Sequence, residues 1–188
     1  MNQDINRKWI LIARPAKGPL ALDCFRFEEE ELKELKDGEF RVRTSMLSFD
    51  PTQRFWMERD TYIPKIPLGE VMRGAAVGEV VQSKNEKYPI KTRVAGFFGW
   101  QNYALCNGFE PFPLNILPPE ISDEAALSIF GMTGLTGYFG MLDVAKVSAG
   151  DTVLVSGASG ATGSIAAQIA KIAGAKVIGI AGSNLKCQ

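Results

Sequence analysis

Residues 157–163 read Gly-Ala-Ser-Gly-Ala-Thr-Gly, and this turn lies between a short β-branched segment, 152–156, and a segment of helical periodicity, 163–173. Three isoleucines of the helical segment recur on one stripe, and a glycine ends it. A second apolar segment follows at 176–180. The short distance between the two apolar segments predicts a parallel pair of strands with a right-handed crossover, which is a βαβ unit.

The glycine-rich turn predicts a site for the phosphates of a dinucleotide. Glycines there permit a tight turn, close approach of the backbone to a pyrophosphate, and close packing of helix on strand, while the helix N-terminus offers N–H groups to anionic oxygens. The spacing is G-x-x-G-x-x-G, a variant of the stricter G-x-G-x-x-G. Its position between a strand and a helix is the context that the motif requires, and a merely structural turn is the alternative.

The residues after the second strand indicate which dinucleotide would bind. An NAD site usually has a carboxylate about twenty residues beyond the glycines, where it binds the ribose hydroxyls. Residues 181–186 read Ala-Gly-Ser-Asn-Leu-Lys, with one cation and no acid. Hydroxyl, amide and ammonium groups suit a 2′-phosphate, which a carboxylate would repel. The segment therefore predicts NADP, with Lys186 as an ordinary solvated residue being the alternative.

The rest of the chain predicts a different architecture. Up to Pro119, short β-rich segments alternate with turn residues, which favours an antiparallel barrel or sandwich, and the acidic run 28–37 is interpreted as a solvated helical turn or loop. Ser122 then precedes an acidic turn and a long apolar stretch, as at the start of a helix. We expect a β-rich domain at 1–120, and a connecting helix with the first βαβ unit of a nucleotide-binding domain at 121–188.

Composition excludes several classes of function. The 188 residues carry 21 basic and 21 acidic side chains and no histidine. A balanced charge gives no support for nucleic acid or anionic lipid as a partner, so small molecules are the expected ligands. The lack of histidine excludes hydrolases that use a histidine base and removes the commonest zinc ligand. Three cysteines without paired spacing predict no metal site and indicate reduced thiols in a cytoplasmic protein.

Two apolar stretches are candidates for a membrane-targeting or membrane-spanning segment. The one at 9–13 is too short and too closely followed by Arg14 and Pro15 for a signal peptide. The uncharged stretch 125–142 is diluted by four glycines and bracketed by acidic residues. Neither stretch is therefore expected to enter a membrane.

Several blocks in a fixed order resemble the zinc-free branch of the medium-chain dehydrogenase/reductase superfamily, close to the leukotriene B4 12-hydroxydehydrogenase or prostaglandin reductase group. The blocks are 47–51 with Arg54, 68–74, 98–103, 131–138 and 155–186. Zinc-binding members carry Gly-His-Glu where this chain has Gly69-Glu70. That difference agrees with the zinc-free branch.

The resemblance implies an α/β protein, with a GroES-like N-terminal β-barrel domain followed by a Rossmann-type doubly wound parallel sheet, and an active site in the cleft between them. It also implies cofactor-binding roles for nine residues. These are Gly160, Ala161, Thr162 and Gly163 at the pyrophosphate, Gly182, Ser183 and Lys186 at the 2′-phosphate, and Met132 and Thr136 at the nicotinamide, although tight helix packing explains the glycines of 131–140 equally well.

The reaction that the resemblance implies is zinc-independent reduction of the C=C bond of α,β-unsaturated ketones or aldehydes, with hydride from NADPH. Many relatives have a tyrosine directly after Asp-Pro, where this chain has Thr52, so Tyr62 is the substitute candidate for a catalytic role, with packing as its alternative. The family implies a homodimer. A quinone reductase of the same superfamily is the alternative enzyme.

The length of the chain departs from the family. A doubly wound fold has about six parallel strands, whereas two are predicted here before Gln188, and relatives are nearly twice as long. We therefore expect the N-terminal portion of a longer enzyme. The alternative from another class is a shortened, inactive paralogue that acts as an interaction protein and binds no dinucleotide.

Overall fold

Two units, Met1–Asp123 and Glu124–Gln188, make up the chain in the computed structural model, which describes residues 5–108, 112 and 114–187. The first unit is built from antiparallel strands, and the second from helices and a parallel pair of strands.

The N-terminal unit contains one α-helix and two antiparallel sheets in its described part. Its elements are β1 (Ile5–Leu11), β2 (Phe25–Glu31), β3 (Phe40–Leu47), α1 (Thr52–Glu58), β4 (Ala76–Ser83), β5 (Arg93–Gly96), β6 (Tyr103–Cys106) and β7 (Asn115–Ile116). Strands β1 and β2 form a two-stranded ribbon, and the other five form a sheet in the order β6-β3-β4-β5-β7. A 3-10 turn, Leu22–Cys24, leads into β2.

The described strands form no closed barrel, which corrects the predicted barrel. Strand β6 pairs with β3 only through Phe40–Arg43, and β7 has only two residues. The ribbon is not a continuous part of that sheet, and β1 is joined to residues beside it by hydrogen bonds that include two isolated bridges, Lys8 to Gln101 and Ile10 to Val71. Because the edge strands pair over such short lengths, the antiparallel β-rich character is as expected but the sheet does not close.

The acidic run was assigned wrongly, because its first part is a strand. Residues up to Glu31 belong to β2, which pairs with β1 along its whole length. Arg7 lies opposite Glu29 in this register, with 2.8 Å between Arg7 Nε and Glu29 Oε1, and Lys8 forms ion pairs with Glu28 and Glu30. The opposite charges of β1 therefore stabilise an extended conformation that the local sequence disfavours.

Two apolar cores organise the N-terminal unit. One lies on the five-stranded sheet, where Phe40 stacks on Tyr88 with ring centroids 4.4 Å apart. The other packs α1 and the loop after it against β1, and its buried members include Trp56, Met57, Ile63 and Ile66. The second core fixes residues 59–67, the loop that carries Tyr62.

The C-terminal unit contains the predicted βαβ arrangement. Its first helix, α2 (Asp123–Leu127), begins at the last residue of the N-terminal unit. The further elements are α3 (Met132–Phe139), a π-helical turn (Gly140–Val144), β8 (Thr152–Ser156), α4 (Ala161–Ile172), β9 (Lys176–Ile180) and a 3-10 turn (Asn184–Cys187). Strands β8 and β9 are parallel and in register from Thr152 opposite Lys176 to Ser156 opposite Ile180. The prediction of a parallel pair linked by a helix is confirmed.

The helix predicted after Ser122 is divided in two. Gly131 adopts an extended conformation as the N-cap of α3, and a Cβ atom on Gly134 would lie 1.7 Å from the carbonyl oxygen of Ile129. The backbone of α3 therefore folds back closely on the turn that precedes it. Within the residues that the structure describes, no helix combines the length and apolar character needed to span a bilayer.

Candidate cofactor-binding site

The turn between β8 and α4 brings strand and helix into very close contact. Gly157 lies in the left-handed region at φ +63°. A Cβ atom on Gly163 would lie 2.2 Å from the carbonyl oxygen of Gly157, much closer than non-bonded atoms approach. Glycine at 163 is therefore a packing requirement of the turn, and it lets the first turn of α4 lie directly against the end of β8.

The N-terminus of α4 has the donor set that a pyrophosphate needs. The helix begins at Ala161 after the N-cap Gly160, which makes no side-chain capping bond, and the amide of Ser164 makes the bond to the Gly160 carbonyl at 2.9 Å. The amides of Ala161, Thr162 and Gly163 precede that bond and have no acceptor within the helix. Anionic oxygens are the partners that such amides and the helix dipole favour, so the residues present fit a phosphate group.

The end of β9 lies beside the same turn. The amide of Ala158 donates to the carbonyl of Ile180 at 3.0 Å, which joins the turn to the last residue of β9. The exposed residues Ser183 and Lys186 follow in a tight turn, where the Lys186 amide donates to the Ser183 carbonyl at 3.0 Å. The structure thus brings the residues that the sequence predicts for the pyrophosphate and those that it predicts for the 2′-phosphate to one edge of the parallel pair.

Met132 and Thr136 lie one helical turn apart on α3 and are exposed. The Thr136 hydroxyl donates to the Met132 carbonyl at 2.6 Å, so its oxygen keeps only its acceptor capacity for a ligand. Helix α3 packs on α4 at Gly137, where a Cβ atom would lie 2.9 Å from Ile165 Cγ2. Of the two explanations for the glycines of 131–140, tight helix packing therefore applies at Gly137.

Tyr62 lies in the N-terminal unit, on the loop 59–67. Its side chain is 67% exposed, and its ring meets the edge of the Trp56 indole with 6.3 Å between centroids. The loop is braced by two guanidinium groups: Arg73 Nη1 donates to the Pro64 carbonyl at 2.8 Å and Arg14 Nη1 to the Ile66 carbonyl at 2.7 Å. Tyr62 is therefore presented to solvent from an ordered loop.

Arg73 has structural features that the sequence reasoning missed. It lies between the buried residues Met72 and Gly74, and its guanidinium carbon is 6.0 Å from the centroid of the Trp56 ring. Burial lowers the pKa of Arg73 from its ordinary value, against the opposing influence of Glu70 and Tyr62. The sequence did contain a signal for this environment, because Arg73 is a cation between two buried positions of the block 68–74.

Comparison with known proteins relates the whole chain to one group of oxidoreductases. Residues 7–114 match the family described as the N-terminal domain of oxidoreductase. The NADPH-dependent curcumin reductase of Escherichia coli K12 is 36% identical over 97% of this chain and 52% of its own length. Prostaglandin reductase 1 of the mouse is 40% identical over 86% of this chain and 48% of its own length.

A solved structure gives the same relationship. CurA from Vibrio vulnificus in complex with NADPH is 34% identical and superposes with a TM-score of 0.86, covering 97% of this chain and 53% of that one. The chain spans about half the length of the curated relatives it matches. With the family match over 7–114 and these relatives, the chain belongs to the zinc-free medium-chain dehydrogenase/reductase oxidoreductases of the prostaglandin reductase type.

Proposed function

We propose that the protein is an NADPH-dependent, zinc-independent oxidoreductase that reduces the C=C bond of α,β-unsaturated ketones and aldehydes. The observation that carries the proposal is the N-terminus of α4, which has no side-chain cap and lies beside the end of β9. The segment that follows β9 contains Ser183 and Lys186 and no acid. The names of the curcumin and prostaglandin reductases, and the NADPH complex of CurA, support the same cofactor and reaction.

In this proposal the C-terminal unit binds the cofactor. The amides of Ala161, Thr162 and Gly163 donate to pyrophosphate oxygens, and the glycine at 160 leaves the approach open. The Ser183 hydroxyl and the Lys186 ammonium bind the 2′-phosphate next to Gly182. Met132 packs against the nicotinamide, and the Thr136 oxygen accepts a hydrogen bond from its carboxamide, because the Thr136 proton is already donated to Met132.

The N-terminal unit supplies the groups around the substrate. Bound NADPH would provide the hydride for the β-carbon of the enone. Tyr62 Oη donates a hydrogen bond or a proton to the oxygen on which negative charge develops, and the exposure of Tyr62 on a braced loop supports this role. The proposal includes two domains, a GroES-like catalytic domain at 1–120 and a doubly wound nucleotide-binding domain that begins in 121–188. It also includes a homodimer and a cytoplasmic location.

The cofactor assignment is tested by calorimetric titration of the chain with NADPH and NADH. Lys186→Glu places a carboxylate where the 2′-phosphate would bind, so NADPH affinity should fall at least about tenfold while NADH affinity changes little. The matched control is Lys171→Glu, an exposed lysine near the end of α4. Tighter binding of NADH than of NADPH by the unaltered chain would contradict the proposal.

The substrate assignment is tested by steady-state rates on the full-length gene product. The rate with 4-phenyl-3-buten-2-one should exceed the rate with 1,4-naphthoquinone when NADPH is the reductant. A faster quinone reaction would favour the quinone reductase alternative, and NADPH binding without turnover of either substrate would contradict the enone reductase. Tyr62→Phe should lower kcat more than it raises KM, because it removes only the hydroxyl.

A further inference from the structure

The guanidinium group of Arg73 has more hydrogen-bond donors than the neighbouring protein groups accept from. A guanidinium has five N–H donors, and one of them, on Nη1, donates to the Pro64 carbonyl at 2.8 Å. No ion pair joins Arg73 to a carboxylate within the described ranges. The guanidinium carbon also lies 6.0 Å from the centroid of the Trp56 ring. Spare donors on a partly buried cation favour an anionic ligand.

Partial burial affects both the pKa and the solvation of the Arg73 guanidinium. It lowers the pKa of Arg73 from its ordinary value, while the charge of Glu70 acts in the opposite direction. Arginine remains protonated under such a shift. The guanidinium therefore stays charged but is incompletely solvated, and this increases the strength of a hydrogen bond to an incoming carboxylate.

A cavity of about 150 Å³ opens beside Arg73. Its walls are largely aromatic and aliphatic, and the rings of Phe97 and Phe112 have centroids 4.6 Å apart. Gln101 also lines it, but its amide is engaged: Nε2 donates to the Phe98 carbonyl at 2.7 Å and Oε1 accepts from Asn6 at 2.9 Å. Among the lining residues that the structure describes, Arg73 is thus the one that offers charged donors to the cavity.

The size and lining of the cavity limit what it can hold. An apolar protein cavity of about 150 Å³ accommodates a benzene ring. A dinucleotide is far too large for it. A single aromatic ring that carries one anionic group matches the apolar walls on one side and the guanidinium on the other.

We propose that the cavity lined by Arg73, Phe97, Phe98 and Phe112 is a binding site for small planar aromatic carboxylates. The ring packs against Phe97 and Phe112, and the carboxylate accepts hydrogen bonds from the Arg73 donors that the protein leaves unused. This site goes beyond the proposed reductase activity, and its occupancy does not depend on NADPH.

The test is a pair of titrations on the full chain without cofactor, using benzoate and its neutral isostere benzamide. The readout is the indole N–H resonance of Trp56, one of three tryptophans in the chain, together with calorimetric affinity. Benzoate should bind about tenfold more tightly than benzamide, since hydrogen bonds to charged groups exceed neutral ones by that order.

Two variants distinguish the effect of the Arg73 charge on affinity from an effect on the structure of the cavity. Arg73→Gln should reduce benzoate affinity about tenfold and leave benzamide within about twofold, because the cavity wall persists while the charge is lost. Arg73→Lys keeps the charge without the planar fork and should give an intermediate benzoate affinity. Arg59→Gln is the matched control, since that exposed guanidinium lies over Phe55 at 5.0 Å, and it should change neither affinity.

Three results would overturn the proposal. Equal affinities of the unaltered chain for benzoate and benzamide would show that the charge is not recognised. If Arg73→Gln lowered the affinities for benzoate and benzamide equally, and Arg73→Lys restored neither, the role of Arg73 would be only to stabilise the loop 59–67. If benzoate did not bind to the unaltered chain at all, the proposed binding site would not exist. NADPH affinity is measured separately, so none of these results bears on the proposed cofactor.

Discussion

Arg93 Nη2 donates to Asp123 Oδ1 at 2.5 Å, and this ion pair ties the last residue of the N-terminal unit to strand β5. The Ser45 hydroxyl of β3 donates to the other carboxylate oxygen at 2.6 Å. Both side chains of the ion pair are about three-quarters buried, at 28% and 25% exposure. The residues that lead out of the N-terminal unit are therefore anchored to two strands of its sheet.

The anchor predicts a loss of stability in acid. The Ser45 hydrogen bond and the Arg93 guanidinium lower the pKa of Asp123 below its ordinary value. A depressed pKa in the folded state stabilises the protein above the pKa of the unfolded chain, about 3.9 for aspartate, and this stabilisation disappears as the pH falls through the folded value. Asp123→Asn should cost about 1 kcal/mol of unfolding free energy at pH 7.

Urea unfolding of both proteins across the acid range measures this effect. The unaltered chain should lose stability faster than Asp123→Asn below about pH 4, so that the two unfolding free energies converge. Parallel curves for the two proteins, with a constant difference down to the lowest pH, would contradict the assignment of the shift to Asp123.

Gly163 predicts a large effect of a single methyl group. Its Cβ position lies 2.2 Å from the Gly157 carbonyl oxygen and 2.8 Å from the carbonyl carbon, both of which are backbone atoms that cannot rotate away. Gly163→Ala should lower the free energy of unfolding by about 2 kcal/mol, the usual range for overpacking. The matched control is Gly182→Ala, where nothing lies within 4 Å and the change should be small. Equal denaturation midpoints for the two variants would contradict the close contact.

Local signals made the βαβ unit and its glycine turn predictable, because strand, turn and helix are contiguous and each carries its own pattern. Contacts outside the local pattern decided the features that were missed. Strand β2 depends on charges opposite it on β1, which is distant along the chain. The break at Gly131 depends on a tight local turn, after which Gly134 lies against the carbonyl of Ile129. Arg73 gains its surroundings from Trp56 and Phe97, which are distant along the sequence.

Lys91 has a left-handed backbone conformation, with φ at +74°. That region costs a residue with a side chain about 1–2 kcal/mol, while the Lys91 amide keeps its bond to the Val80 carbonyl at 2.8 Å. Lys91→Gly should stabilise the chain by about 0.5–1 kcal/mol, after the greater flexibility of glycine in the unfolded state is subtracted. Thermal or urea unfolding measures the gain.

Lys84→Gly is the control for this change. Lys84 is exposed as well but has no positive φ, so glycine should lower the stability there. Destabilisation of the chain by Lys91→Gly, to the same degree as by Lys84→Gly, would contradict backbone strain at position 91.

The ion pairs of the β1–β2 ribbon predict a salt-dependent stability. Lys8 is 17% exposed and pairs with both Glu30 and Glu28, and hydrogen bonds from Lys8 and Lys33 lower the pKa of Glu30. Lys8→Gln removes the cation that Glu28 and Glu30 share and leaves each with a single cation, Arg26 for Glu28 and Lys33 for Glu30. The unfolding free energy should therefore fall by about 1 kcal/mol at low ionic strength. Because salt screens both attraction and repulsion at this edge, the difference should shrink when unfolding is measured in 1 M NaCl. A difference independent of salt would mean that packing of the Lys8 stem, rather than its charge, stabilises β2.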